Sequence, residues 1–344
     1  MVLTQRPNPR RPTLQDVARR SGVSKSTVSR VINDEPKVRA EVADRVREVI
    51  SELGYVPNQA ARQLVTHRTH AIAVVVTEPD NRLFLDPFFD CLLRGIRREL
   101  AQHGAQAVLL FLDEADDYPR VADYLGGGHV DGAIVFSLRP GDGLHEMIDR
   151  IGLPAVFGGR PLLRDGDRAH RHAHVDGDNR GGARQAVQHL VSLGRTRIAT
   201  VTGPYDQETS AADRLAGYRD VLPDAPPDLT ERADYTRQAG ADAMAALLGR
   251  RPDLDAAFVA SDLMASGALQ TLRAHGRRVP EDVAVVGFDD LTGITESTDP
   301  PLTTIHQDVD GMGRLMARLL FDAERIKAPA TVVVPTRLVL RGSA

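Results

Sequence analysis

Cysteine is almost absent: of 344 residues only Cys91 carries a thiol. No intramolecular disulfide can form, a tetrahedral cysteine zinc site is excluded, and the chain suits a reducing compartment. Long apolar runs are missing too. No stretch is long enough to span a bilayer, and the first eleven residues, basic and proline-containing, lack the apolar core of a secretion signal. The expectation is a soluble protein that stays in the cytoplasm and has no membrane partner. Common catalytic signatures are lacking as well: there is no G-x-S-x-G, no P-loop, no H-E-x-x-H, and no G-x-G-x-x-G after the first strand-like run. No catalytic residue and no cofactor is therefore expected.

What the chain does have is an asymmetry of charge. The formal net charge is -4, yet residues 1–70 hold 13 basic and 7 acidic residues, against 30 and 40 in the remainder. A basic module joined to an acidic body is the arrangement expected when the first meets phosphate and the second does something else. Length and an apolar content of 42% agree with more than one domain.

The basic end reads as three short helices. Thr13 is an N-cap for a helix over 14–20 with Leu14, Val17 and Ala18 on one face. Ser21-Gly22-Val23 breaks it, since Gly22 accepts the left-handed backbone of a tight turn and Val23 can plug between helices. A second helix over 24–32 buries Val28, Val31 and Ile32 and leaves Lys25, Ser26, Thr27, Ser29 and Arg30 as a donor-rich face. A third, over 40–53, turns Val42, Val46, Val49, Ile50 and Leu53 inward before Gly54 ends it. This is helix-turn-helix grammar, and it closes a small core of its own. The next segment, 57–64, starts at Pro57 and is too short to be a stable helix alone in water.

The string TLQDVARRSGVSKSTVSRVIND, followed by LGYVPNQAARQL, resembles the DNA-binding region of the LacI/GalR family of bacterial regulators. That resemblance implies an all-α helix-turn-helix headpiece over 1–56, a hinge helix and linker over 57–70, and a sensor over 71–344. It assigns Lys25, Ser26 and Arg30 to reading base edges. Lys and Arg suit guanine O6 and N7, whereas Ser26 is too short to specify a base. Thr13, Ser24, Thr27, Ser29 and Asn33 are candidates for phosphate contacts, which fix register without reading sequence. In the hinge the family sets a leucine wedge into the minor groove; the matching residues here are Ala61 and Leu64. Double-stranded, pseudo-palindromic operator DNA and a homodimer are the implied partners.

From residue 71 onward short apolar runs alternate with amphipathic stretches. The runs at 71–77, 107–112, 132–136, 155–157, 198–201, 256–259 and 283–288 read as strands, and the alternation indicates parallel sheets with helices on both faces. Two sheets are expected, one before about residue 172 and one after. The late runs 331–334 and 337–340 imply that the chain crosses between lobes several times. The resemblance supplies the architecture, a two-lobed α/β sensor of the periplasmic-binding-protein type I, Rossmann-like kind, holding a small-molecule effector. Effector residues belong just beyond strand ends.

Phe88 and Phe89 match family aromatics that line the cleft, although either could be core. Arg214 matches a multidentate donor, Ser210 a small hydroxyl beside it, and Tyr235 an aromatic wall. Asp262 and Asp289 match paired carboxylates. Asp262 could equally cap the helix that follows, so Asp289 is the stronger ligand. Gln307 is a further pocket candidate. At Gly158-Gly159-Arg160 the chain departs from relatives that carry an acidic contact there. A sugar is the implied effector and repression the implied mode, with a purine-type corepressor or a solute-binding protein without a DNA role as alternatives. His170, His172 and His174 would face one side of an extended segment and could ligate a metal. With no cysteine near, they are read as solvated, and no metal is expected. Gly126–Gly128 reads as a helix stop.

Overall fold

The computed structural model describes residues 12–33, 36–56, 68–78, 80–112, 116–136, 143–160, 172–322 and 331–344. The chain divides into two compact units, Met1–Thr69 and His70–Ala344.

The first unit holds α1 (Leu14–Ser21), α2 (Lys25–Ile32) and α3 (Ala40–Leu53). Thr13 opens α1 with a reciprocal capping box: its side chain accepts from Asp16 N, while the Asp16 carboxylate accepts from Thr13 N at 2.9 Å. Gly22 ends the helix at φ 71°, a conformation that a Cβ would strain, and its N–H returns to Ala18 O. The turn is thus short enough for α2 to pack directly on the same core. That core consists of Val17, Ala18, Val28, Val31, Val46, Val49 and Tyr55, with Leu14, Val23 and Ile32 around it.

In chain order the second unit begins β1 (Ala71–Val76), α4 (Asp80–Leu85), α5 (Pro87–Gln102), β2 (Gln106–Phe111), α6 (Asp117–Gly126), β3 (Gly132–Phe136), α7 (Leu144–Ile151), β4 (Ala155–Gly158) and β5 (Ala173–Gly177). It continues α8 (Asn179–Ser192), β6 (Ile198–Thr202), α9 (Thr209–Val221), β7 (Thr230–Arg232), α10 (Arg237–Arg250), β8 (Ala256–Val259), α11 (Asp262–Ala274), β9 (Ala284–Asp289), α12 (Thr292–Thr295) and β10 (Thr303–His306). It ends with α13 (Val309–Asp322), β11 (Thr331–Val334) and β12 (Arg337–Val339).

Two six-stranded sheets result, ordered β11-β5-β4-β3-β1-β2 and β12-β10-β9-β8-β6-β7. Every pairing is parallel except β10 with β12. Each sheet therefore carries the doubly wound 2-1-3-4-5 order, in which the strand order reverses beside the first strand and ligands collect beyond the carboxyl ends. Alternate residues of β1 feed opposite faces: Ile72, Val74 and Val76 pack under α5 and α13, whereas Ala73 and Val75 meet Leu125, Leu144, Ile148 and Phe157. Being buried on both faces is why such strands read as unbroken apolar runs.

The chain crosses between lobes three times, after β5, after β10 and between β11 and β12. The expected boundary near residue 172 moves to about 177, because β5 belongs to the first sheet. Three strands escaped the sequence reading: β5, β7 and β10. Gly126 ends α6 and Gly127 caps it, as a helix stop should.

Candidate functional site

On the first unit, α2 presents its outer face. Lys25, Ser26 and Arg30 are exposed there, Thr27 and Ser29 half-buried, and Asn33 is exposed as the C-cap. The inner face is held by Val28 and Val31. Ser24 caps α2 by accepting from Thr27 N at 3.2 Å, and its hydroxyl lies 2.7 Å from Ser26 Oγ and 2.9 Å from Thr27 Oγ1. The capped helix start at Ser24 presents hydroxyls and backbone N–H groups of the kind that bind phosphate, whereas Thr13 gives both its N–H and its O–H to the Asp16 carboxylate. Ala61 and Leu64 lie outside the described residues.

In the second unit the carboxyl ends of the two sheets border one cleft, which encloses about 860 Å³ of space, its open mouth included. Seven of the eight expected effector residues line it: Phe88, Phe89, Ser210, Arg214, Tyr235, Asp289 and Gln307. Phe88 and Phe89 meet edge to face with centroids 5.4 Å apart, and Phe89 stacks on Phe136. Phe89 is thus both core and wall. Met312 and Met316 of α13 extend this apolar side.

Asp262 is the correction. It does not border the cleft; fully buried, it accepts from Leu291 N at 2.8 Å and from Thr304 Oγ1 at 2.6 Å. Ser261, not Asp262, caps α11. Asp262 therefore ties β10 to the turn after β9, and burial, with Asp289 nearby, pushes its carboxyl well above the usual range.

The polar side of the cleft is built on Arg214, in the first half of α9. Its guanidinium lies 3.7 Å over the Phe288 ring. Nε donates to Asn179 Oδ1 at 2.9 Å, Nη1 to Ala260 O, and Nη2 to Asp289 Oδ1 at 3.4 Å. Three of five donors are engaged, which leaves two for a ligand. Asp289 ends β9 with φ at 110°, a strained conformation for a residue with a Cβ. Its Oδ1 also accepts from Gln307 Nε2 at 2.7 Å. Oδ2 remains an acceptor. Burial pushes the Asp289 carboxyl up to about 7, against the pull of Arg214 and with Asp86 adding to the rise.

The cleft also holds residues that sequence reasoning missed. Arg82, from the short helix α4, spans the lobes between Glu78 at 2.8 Å and Glu208 at 2.7 Å and lies 4.4 Å over the Tyr235 ring. Burial opposes its charge, but Glu208 and Glu78 outweigh that and raise its pKa. Arg160 bonds Asp176 at 3.1 Å within its own lobe and Asp213 across the cleft, and its carbonyl accepts from Thr209 Oγ1 at 2.7 Å. The segment Gly158-Gly159-Arg160 thus puts a cation at the cleft. Asp176 lies in β5, an unexpected strand, and Asn179 just after it, and both were invisible for that reason.

The solvated reading of the histidines is corrected in part. His174 is buried on β5 with its Nε2 3.4 Å from His145 Nε2, and His145 stacks on Phe157. His172 lies 3.0 Å from Asp149, and His170 is outside the described residues. Among the described residues no group of three such side chains could hold a metal ion, and no helix is long and apolar enough to cross a membrane.

Comparison with known proteins follows this division of the chain. Residues 13–58 match the model of bacterial regulatory proteins of the lacI family, and residues 187–344 that of a periplasmic binding protein-like domain. The HTH-type transcriptional regulator CelR of Thermobifida fusca is 46% identical over 340 residues, 97% of this chain and 98% of that one. The ribose operon repressor of Escherichia coli K12 is 35% identical over 92% of this chain and 94% of its own. Among solved structures, a CelR–cellobiose complex matches with a TM-score of 0.76 at 44% identity, covering 97% of this chain and 100% of that one. A lac repressor dimer bound to operator and the anti-inducer ONPF matches with a TM-score of 0.83 at 28% identity, covering 96% and 98%.

Proposed function

Because this chain belongs to the LacI family of bacterial regulatory proteins, we propose that its DNA affinity is set by a neutral sugar held in the cleft between the lobes of its second unit. It is a DNA-binding transcriptional regulator. Acting in the cytoplasm as a homodimer, it recognises a pseudo-palindromic operator, with Lys25, Ser26 and Arg30 reading bases from α2. A family relative bound to operator as a dimer supports that assembly.

One observation carries the sugar reading: a buried Arg214–Asp289 pair whose remaining donors and acceptor face an aromatic and apolar wall. Hydroxyls that donate to Asp289 and accept from Arg214, with C–H faces against Phe88 and Phe89, describe a pyranose. The cleft is lined by five carboxylates, Glu78, Asp86, Asp176, Glu208 and Asp289, against three arginines. That balance disfavours phosphates and other anions. A 46% identical relative and its cellobiose complex make a β-linked glucose disaccharide the first ligand to try.

The sugar need only favour one arrangement of the lobes to change operator affinity, and linkage then requires operator to change sugar affinity by the same factor. The test is cellobiose affinity, by titration calorimetry, with and without saturating operator. Weaker binding on DNA makes the sugar an inducer, and tighter binding a corepressor. Equal affinities would sink the reading, as would a nucleoside that shifts the melting transition where sugars do not.

A further inference from the structure

Two of the crossings between lobes run side by side. The first passes through Asp178 from β5 to α8, the second through Gln307 and Asp308 from β10 to α13. They are so close that a Cβ on Gly177 would lie 2.6 Å from Gln307 Oε1. Each carries one buried amide at the cleft floor, Asn179 at 3% exposure and Gln307 at 4%. Gln307 holds the carboxylate of the grip, and Asn179 holds the arginine.

Asn179 is nearly saturated. Its Nδ2 donates to Asp176 Oδ1 at 2.9 Å and to Gly177 O at 3.1 Å, and its Oδ1 accepts from Arg214 Nε. Only this amide orientation works, since a flip would set donor against donor at Arg214 and acceptor against acceptor at Asp176. With both N–H groups used, the side chain has little left to give a ligand. It acts on the arginine instead. Stacking on Phe288 fixes the tilt of the guanidinium but leaves rotation within its plane. Two neutral acceptors stop that rotation: Asn179 Oδ1 at Nε and Ala260 O at Nη1.

We propose that Asn179 is the positioning residue of the effector site: from the first interlobe crossing it aims the Arg214 guanidinium at the ligand. Without it the Nε–H is buried and unsatisfied, or the guanidinium turns and draws away from Asp289. The proposal rests on the cleft's being the effector site, but one of its readouts needs no ligand.

That readout is NMR of protein labelled with arginine carrying ¹⁵N at Nε. Wild type should show a slowly exchanging Nε–H signal that disappears in Arg214→Lys. Asn179→Leu should lose its protection. The exchange Asp176→Asn with Asn179→Asp reverses donor and acceptor where the two side chains meet and keeps an acceptor at Nε, at the loss of the bond to Gly177 O, and should retain the signal. Cellobiose titration supplies the second arm. Asn179→Leu should weaken binding by about tenfold or more, the effect expected for removing a hydrogen bond to a charged group. The exchange should bind more tightly than Asn179→Leu, short of wild type because the bond to Gly177 O is lost, and Asn179→Leu should add nothing in an Arg214→Lys background.

Unchanged protection in Asn179→Leu, or an equal loss in both backgrounds, overturns the proposal. If Asn179→Leu does not fold, Asn179→Ser, too short to reach Nε, takes its place. If wild type ignores cellobiose, the choice of sugar has failed, and the Nε–H signal alone decides the role of Asn179.

Discussion

If Asp289 accepts the sugar's hydroxyls as proposed, effector affinity should rise with pH through neutrality, because burial raises that carboxyl into this range. Burial, with Asp86 adding, pushes Asp289 up to about 7, while Arg214 and Gln307 pull it down only in part. In the complex a hydroxyl donor joins Arg214 and Gln307 around the carboxylate and lowers its pKa further. Binding therefore expels a proton below pH 7. With the free-state value pushed up to about 7, the carboxyl is mostly protonated at pH 6 and mostly ionised at pH 8. Apparent affinity should thus be roughly tenfold weaker at pH 6, equivalent to about 1.4 kcal/mol, and level off above pH 8.

Folding responds in the opposite sense. Asp289 titrates higher in the native state than in the unfolded chain, so its contribution to stability is complete below about pH 4 and is lost as pH rises through 7. The apo protein should weaken over the very interval in which the sugar binds better. The thermal shift produced by saturating sugar should widen accordingly. Calorimetry in two buffers of different ionisation enthalpy checks the mechanism: binding should release more of a proton at pH 6 than at pH 8. Among the described residues no histidine lines the cleft, so a carboxyl group governs this window. An affinity flat from pH 6 to 8, or proton uptake, would refute the reasoning.

Two further outcomes concern the first unit. Arg30→Ala should relax base preference at one position per half-site, at a cost of about 1–3 kcal/mol for each bidentate arginine–base pair it removes, as read by competition among substituted operators; a uniform loss with a lower salt slope would make Arg30 a phosphate ligand instead. Thr13→Ala removes the capping box at α1 and should destabilise that helix by about 1 kcal/mol, so amide exchange in α1 speeds about fivefold while exchange in β1 does not change. Unaltered exchange in α1 would mean that the tertiary core alone holds the helix.

The three helices described in the first unit were legible almost to the residue, since their signals are local: a Thr cap, a left-handed glycine, and apolar positions at helical spacing. Strands were legible where burial is apolar. The three that were missed are short and polar. In β10 Thr303 and Thr304 are buried through hydrogen bonds to the chain terminus and to Asp262, and in β5 His174 packs on His145. β7, Thr230–Arg232, is a three-residue edge with no apolar residue at all. A hydropathy pattern cannot register burial that hydrogen bonds make possible. The site inherits this limit. Arg214 and Asp289 stand after or at the end of strands that could be read, whereas Asp176 lies in and Asn179 just after one that could not, and Arg82 comes from a helix interposed after β1. At Asp262 a motif likeness was right about a buried carboxylate and wrong about what it holds.

These missed residues explain how a small neutral ligand could move two lobes. The first turns of α9 are gripped from the opposite lobe at three points, Arg82 on Glu208, Arg160 O on Thr209, and Arg160 on Asp213, while Arg214 of the same helix lines the cleft. Half-exposed pairs such as Arg160–Asp213 are worth at most about 1 kcal/mol, because solvent screens them and ordering two long side chains costs entropy. The Arg82 pair is more enclosed but is shared with Glu78, inside its own lobe, so separating the lobes leaves that cation partnered. Lobe closure is therefore held by interactions that are each weak or replaceable. Coupling between distant sites typically amounts to about 1–3 kcal/mol, the same scale as breaking one or two such interactions. A ligand that adds a few hydrogen bonds to Arg214 and Asp289 in only one arrangement supplies enough to decide between them.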